Sequence, residues 1–181
     1  MNSTYINMNK LTLRRMTLLA LLTALLTVGR ISFAIIPNVQ PNTAILIIAS
    51  FVLGPIQGLI LAILSTITTN LYLGHGLWSI GQMVAWGLIA IMSGLLGKYR
   101  HKTPWWILSL YSGFCGFLFG FIISLIMGGI VVQKFWPYYL SGLPFDFNHA
   151  IGNVIFFIVL YKPLLIVMER HLKGREHGRA A

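Results

Sequence analysis

The chain has 181 residues, of which 57% are hydrophobic and only 9% charged, and its 13 basic and 3 acidic side chains leave a net charge of +10. A soluble domain carries about a quarter charged residues, so this composition excludes one and identifies an integral membrane protein. The basic side chains gather at segment ends and tails and do not interleave with aromatics on a soluble module, which excludes nucleic acid as the expected partner.

A spanning helix needs roughly 20 apolar residues. Six segments are predicted as helices: Met16–Ile36, Thr43–Leu53, Ile56–Leu73, Ile80–Gly97, Trp105–Val132 and Phe147–Met168. The expected architecture is therefore one all-α transmembrane domain over residues 1–181, with basic tails over about 1–15 and 169–181. The first segment is too long for a signal-peptide core and lacks a small-residue cleavage pattern, so it is expected to remain as a helix. Within it, "TLLALLTALL" places Ala20 and Ala24 four apart, with Thr17 and Thr23 nearby. Small residues at that spacing let a second helix approach closely, which makes Ala20 and Ala24 the expected contact for a membrane partner. Arg30 lies roughly 21 Å along this helix from Met16 at 1.5 Å per residue. A buried guanidinium there needs a partner, and two remain open: Asp146, the only acid on that side, or a ligand carboxylate or carbonyl.

Residues 36–42 then read IPNVQPN, an abrupt polar interruption. Pro37 and Pro41 restrict the backbone around them and present Asn38, Gln40 and Asn42 as amide donors and acceptors. The alternative is that these amides only satisfy loop backbone at the lipid interface. The second segment is marginal in length and is separated from the third by Gly54–Pro55. It is expected to be tilted, broken or covered by its neighbours, since irregular backbone survives in lipid only under such cover.

Asn70, Tyr72, His75 and Trp78 surround the GHG turn before the fourth segment, and Gln82 and Trp86 follow four apart on one helix face. An amide and an indole stacked there suit a flat, polar-edged ligand, although Trp78 and Trp86 also fit an aromatic interfacial belt. Cys115, the single cysteine, excludes a disulfide within one chain and reads as a small packing residue in the fifth segment. The stretch VVQKFWPYYLSGLPFD (131–146) is expected as a third external connection, in which Trp136, Tyr138 and Tyr139 either cover a pocket or lie at the interface. His149 and Asn153 are again four apart, and lipid exposure of both would be costly, so they are expected to face the bundle.

Lys10, Arg14 and Arg15 precede the first segment, Lys98, Arg100 and Lys102 fill the fourth turn, and Lys162, Arg170, Lys173, Arg175 and Arg179 lie at or beyond the last. Six crossings put all three groups on one face, which the positive-inside rule assigns to the cytoplasm together with both termini. The three polar connections then face outward, and function is expected there. Catalysis finds no support: HExxH, GxSxG, paired carboxylates and a phosphate loop are all missing, and His75, His101 and His149 lack metal-ligand spacing. No catalytic residue, metal site or cofactor is predicted. Few ionisable residues lie near the midplane, which weakens a stand-alone, self-powered carrier.

Small size, six helices, cytoplasmic ends and a polar outward pocket without an energy-coupling motif resemble the substrate-binding membrane subunit (S component) of energy-coupling factor (ECF) vitamin transporters. The AxxxA of Ala20 and Ala24 is similar to that family's contact with its scaffold subunit, and PNVQP (37–41), NLYLGHGLWSIGQ (70–82) and FDFNHAIGN (145–153) are similar to one branch of it. The resemblance implies a subunit of the bacterial cell membrane that captures a water-soluble vitamin from outside and works with a transmembrane scaffold and two ATPase subunits. On it, Arg30, Asn38, Gln40, Asn42, Asn70, Tyr72, His75, Trp78, Gln82, Trp86, Asp146, His149 and Asn153 are the expected substrate-binding residues. Amides and aromatics favour pyridoxine or hydroxymethylpyrimidine; pantothenate gains if Arg30 is free of Asp146, and cobalamin stays open. A stand-alone small-solute carrier is the alternative function.

Overall fold

The computed structural model describes residues 2–173, with side-chain environments over 13–172. Arg175 and Arg179 of the basic tail lie outside the described residues. The elements in order are α1 (Asn2–Ser32), α2 (Asn42–Leu53), α3 (Pro55–Leu73), α4 (Leu77–Leu96) with a 3-10 turn at Gly97–Tyr99, α5 (Trp105–Ile123) continued by a π-helical stretch at Ser124–Val131, and α6 (Phe135–Lys173). The described residues contain no strand, and five of the helices are long and apolar enough to cross a membrane.

The short α2 is the exception. Twelve residues rise about 18 Å, well short of a hydrocarbon core of about 30 Å. Every residue from Asn42 to Phe51 is buried, so α2 sits inside the bundle, packed by α4 and α6 along its length. Gly54 ends it in the left-handed region at φ 89°, with its N–H donating to the Ser50 carbonyl, and Pro55 opens α3 at the first helical position. Glycine tolerates that backbone and proline needs no N–H partner there, so one Gly-Pro pair reverses the chain without exposing unpaired groups.

The sixth helix differs from expectation. It begins at Phe135, twelve residues ahead of Phe147, and absorbs most of the stretch expected as a loop. Pro137 falls in its first turn, where an N–H would have no helical partner anyway. Pro144 lies inside the helix, where it removes one backbone donor without ending it. The reversal is confined to residues 132–134: the Val132 and Lys134 N–H groups donate to the Met127 and Gly128 carbonyls at 2.8 and 2.7 Å, with Gln133 at φ 55°. The preceding π-helical turn widens α5 around Gly128, against which Tyr138 of α6 packs.

Glycines set the close approach of α5 and α6. Gly113, Gly116 and Gly120 line the α5 face toward α6, and a Cβ on Gly116 would lie 2.7 Å from the backbone nitrogen and Cα of Ala150. The Asn153 amide donates to the Ser112 carbonyl at 3.2 Å across the same seam.

The basic end closes differently. Arg100 donates to the Phe51 and Gly97 carbonyls, both at 3.2 Å, and pairs with Glu169 at 3.1 Å, the one ion pair among the described residues. Arg14 and the 171–172 region meet through Arg14 Nη1 donating to the Leu172 carbonyl at 3.5 Å. The two ends of the described chain therefore share the face on which the basic residues gather.

Candidate functional site

At the opposite end, a cavity of about 250 Å³ opens between α4, α5, α6 and the α1–α2 loop. Its polar lining comes from Asn38, Gln82, Ser124, Tyr138 and Asp146, and its apolar wall includes Trp78 and Phe119. Asn38 stands at φ 57°, a conformation that asparagine adopts more readily than most residues. The IPNVQPN loop thus uses this residue for its backbone as well as its amide.

Beneath the cavity wall runs a connected buried network. Arg30 of α1 donates through Nη1 to Thr69 Oγ1 at 2.6 Å and Asn70 Oδ1 at 3.0 Å. Its guanidinium carbon lies 4.9 Å above the Trp86 ring. Asn70 in turn donates from Nδ2 to Ser79 Oγ and to Gln82 Oε1, both at 2.8 Å, which carries the network to the cavity wall. Arg30 is only 7% exposed and forms no ion pair with Asp146. Of the two partners open for it, the acid is ruled out: neutral oxygens and an aromatic face hold the charge.

A second chain runs through Trp86. Its indole N–H donates to Thr43 Oγ1 at 2.9 Å, and the same hydroxyl meets His149 Nε2 at 2.9 Å. Phe119 packs edge-on to His149 and tilted over Trp86, with centroids 5.0 and 4.7 Å apart. Several buried polar atoms in this region lack a partner among the described residues: both amide atoms of Asn42, Oδ2 of Asp146, and Nδ1 of His149. Buried polar atoms are nearly always paired, so these four stand apart from the satisfied Arg30 and Trp86 chains.

A family model described as ECF transporter, substrate-specific component, matches residues 14–161. The chain belongs to the ECF transporter substrate-specific component family. It is accordingly a substrate-specific transporter subunit with several membrane-crossing helices, of a family that binds small molecules and works with scaffold and ATPase subunits. No solved structure matches it.

Within this S component, the structure gathers Asn38, Trp78, Gln82 and Asp146 at the cavity, and Arg30, Asn70, Trp86, Asn42 and His149 in or beside the buried layer below. Other expected residues lie elsewhere. Tyr72 is 74% exposed on the outer surface of α3. His75 is exposed, with Nδ1 3.5 Å from Ser79 Oγ. Asn153 serves the α5–α6 seam, and Gln40 is half-buried with its backbone nitrogen toward Gly152.

Sequence reasoning missed Thr43, Thr69, Ser79, Phe119, Gly120 and Ser124. Hydroxyls in apolar runs carry no spacing signal of their own. The Gly113, Gly116, Gly120 series does: glycines three and four apart announce a helix face that another helix approaches closely.

Proposed function

We propose that this S component captures a small, water-soluble heteroaromatic vitamin or vitamin precursor from outside a bacterial cell membrane, with pyridoxine or hydroxymethylpyrimidine as the favoured ligand. The captured solute passes inward only after assembly with a transmembrane scaffold and two ATPase subunits, which supply the energy this chain has no motif to harvest. The observation that carries the reading is the cavity of about 250 Å³ whose wall combines Gln82, Asn38 and Asp146 with Trp78 and Phe119. Drug-sized ligands occupy roughly 300–1,000 Å³, so a single substituted ring suits this volume and a corrinoid does not. Aromatic walls take the ring faces, and amides and a carboxylate take its polar edge.

Pantothenate is the second reading, because Arg30, paired with no acid among the described residues, places a positive charge in the layer below the cavity. It ranks lower, since the carboxylate at the cavity wall belongs to Asp146 and would repel another.

The test is native mass spectrometry of the purified chain for a co-purifying ligand, followed by calorimetric titration. One-to-one binding of a small heteroaromatic vitamin supports the proposal. Absence of any vitamin binding, together with transport by the isolated chain in liposomes, would establish an autonomous carrier instead.

A further inference from the structure

Asp146 is the most demanding residue in the outer half of the molecule. It is 4% exposed, lines the cavity, and its Oδ2 has no hydrogen-bond partner among the described residues. Among the described residues no cation pairs with it: Arg30 is committed to Thr69, Asn70 and the Trp86 face, and the one ion pair is Arg100–Glu169 at the far end. A carboxylate removed from water and left unpaired is strongly unfavourable. The fold nonetheless makes room for it, because the carboxylate occupies the space that any side chain at residue 120 would fill, and Gly120 leaves that space open. In the same lining, Gln82 Oε1 already accepts from Asn70, which leaves its Nε2 group as the donor it offers. The lining thus combines an acceptor at Asp146 with the Gln82 amide donor and the hydroxyls of Ser124 and Tyr138, which can donate or accept.

We propose that Asp146 sets the chemical class of the ligand: the site takes a ring bearing an amino, aminomethyl or hydroxymethyl donor against this carboxylate, and turns away a ring bearing a carboxylate of its own. The inference rests on the capture site argued above. It deepens that reading by naming which substituent chemistry is selected and which residue selects it.

Purified full-length chain is titrated calorimetrically with pyridoxamine, pyridoxine and pyridoxic acid, which share one ring and differ in one substituent, and with hydroxymethylpyrimidine. The wild type is expected to bind at least one amine or alcohol, and the acid about a hundredfold more weakly, as like-charge juxtaposition demands. Asp146→Asn is expected to shrink that discrimination to less than about tenfold by weakening the donors and admitting the acid. The ratio between ligands within one variant does not depend on the folded fraction. If Asp146→Asn does not fold, the wild-type ratio decides alone. Acid binding to the wild type within about threefold of the alcohol would overturn the role of Asp146 while leaving the capture site standing. Failure of every neutral or cationic ring to bind would overturn both the capture site and this inference.

Discussion

The guanidinium of Arg30 lies 4.9 Å over the indole of Trp86 while its Nη1 donates to Thr69 and Asn70. This relationship ties α1, α3 and α4 together at one point. Because Asn70 also donates to Gln82 Oε1, the orientation of a cavity-wall amide is referred back to a charge on another helix. Arginine is suited to this position through its planar face and forked donors, neither of which lysine reproduces.

Arg30→Lys is therefore expected to keep the charge but weaken ligand binding by about tenfold, or about 1.4 kcal/mol, through loss of stacking and of the fixed fork. Titration of the purified variant, with thermal unfolding as a check on folding, measures it. Unchanged affinity would show that Gln82 holds its orientation without Arg30.

Thr43 carries the second relay. Its hydroxyl oxygen accepts from Trp86 and meets His149 Nε2, and all three residues are buried. Thr43→Val preserves shape and removes both contacts. Interhelical hydrogen bonds in membranes are worth about 0.6 kcal/mol on average, so two of them predict a loss of about 1–2 kcal/mol in stability, read as a lower unfolding midpoint in detergent. Thr43→Ser should restore most of it. A Thr43→Val midpoint equal to wild type would mean that water replaces the hydroxyl.

Helix number, the shared basic end and the irregularity of α2, for which burial was one of three readings, were legible because they depend on bulk quantities: apolar run length, run interruption and lysine-arginine placement. Arg30 stood out as a charge in an apolar helix, and Asn70 by its place beside the GHG turn. The start of α6 was not legible, because Pro137 and Pro144 signal a loop when read locally, whereas one falls in the first turn and the other is tolerated inside a helix packed against α5. Tyr72 was drawn toward the site by its neighbours in sequence, but helical rotation turns it outward while Asn70, two residues earlier, turns in. Thr43 escaped notice because a hydroxyl in a buried helix is identified only by what it meets across the bundle.

Gly116 offers a sharper test of the α5–α6 seam. An added methyl there meets Ala150 backbone at 2.7 Å, so the helices must separate, whereas a Cβ at Gly129 meets nothing within 4 Å. Gly116→Ala is expected to cost about 1–3 kcal/mol as an overpacking change, and Gly129→Ala to stay within about 0.5 kcal/mol. Equal unfolding midpoints for the two variants would show that the seam has slack.

The face of α1 carrying Ala20 and Ala24 bears on assembly. Both alanines are exposed, as are Thr17 and Leu21 beside them, so neither packs inside the bundle. Replacing them alters no buried side chain, yet leucine at both positions fills the shallow surface over which another helix would approach. Ala20→Leu with Ala24→Leu is accordingly expected to leave ligand binding by the purified chain within about twofold of wild type, since the cavity lies at the far end of the bundle. In cells supplying the scaffold and ATPase subunits, the same double variant should reduce uptake at least about tenfold, as loss of a close helix contact would. Uptake equal to wild type would move the scaffold contact to a different face of the molecule. Loss of binding as well as uptake would instead show that α1 transmits its packing to the Arg30 layer.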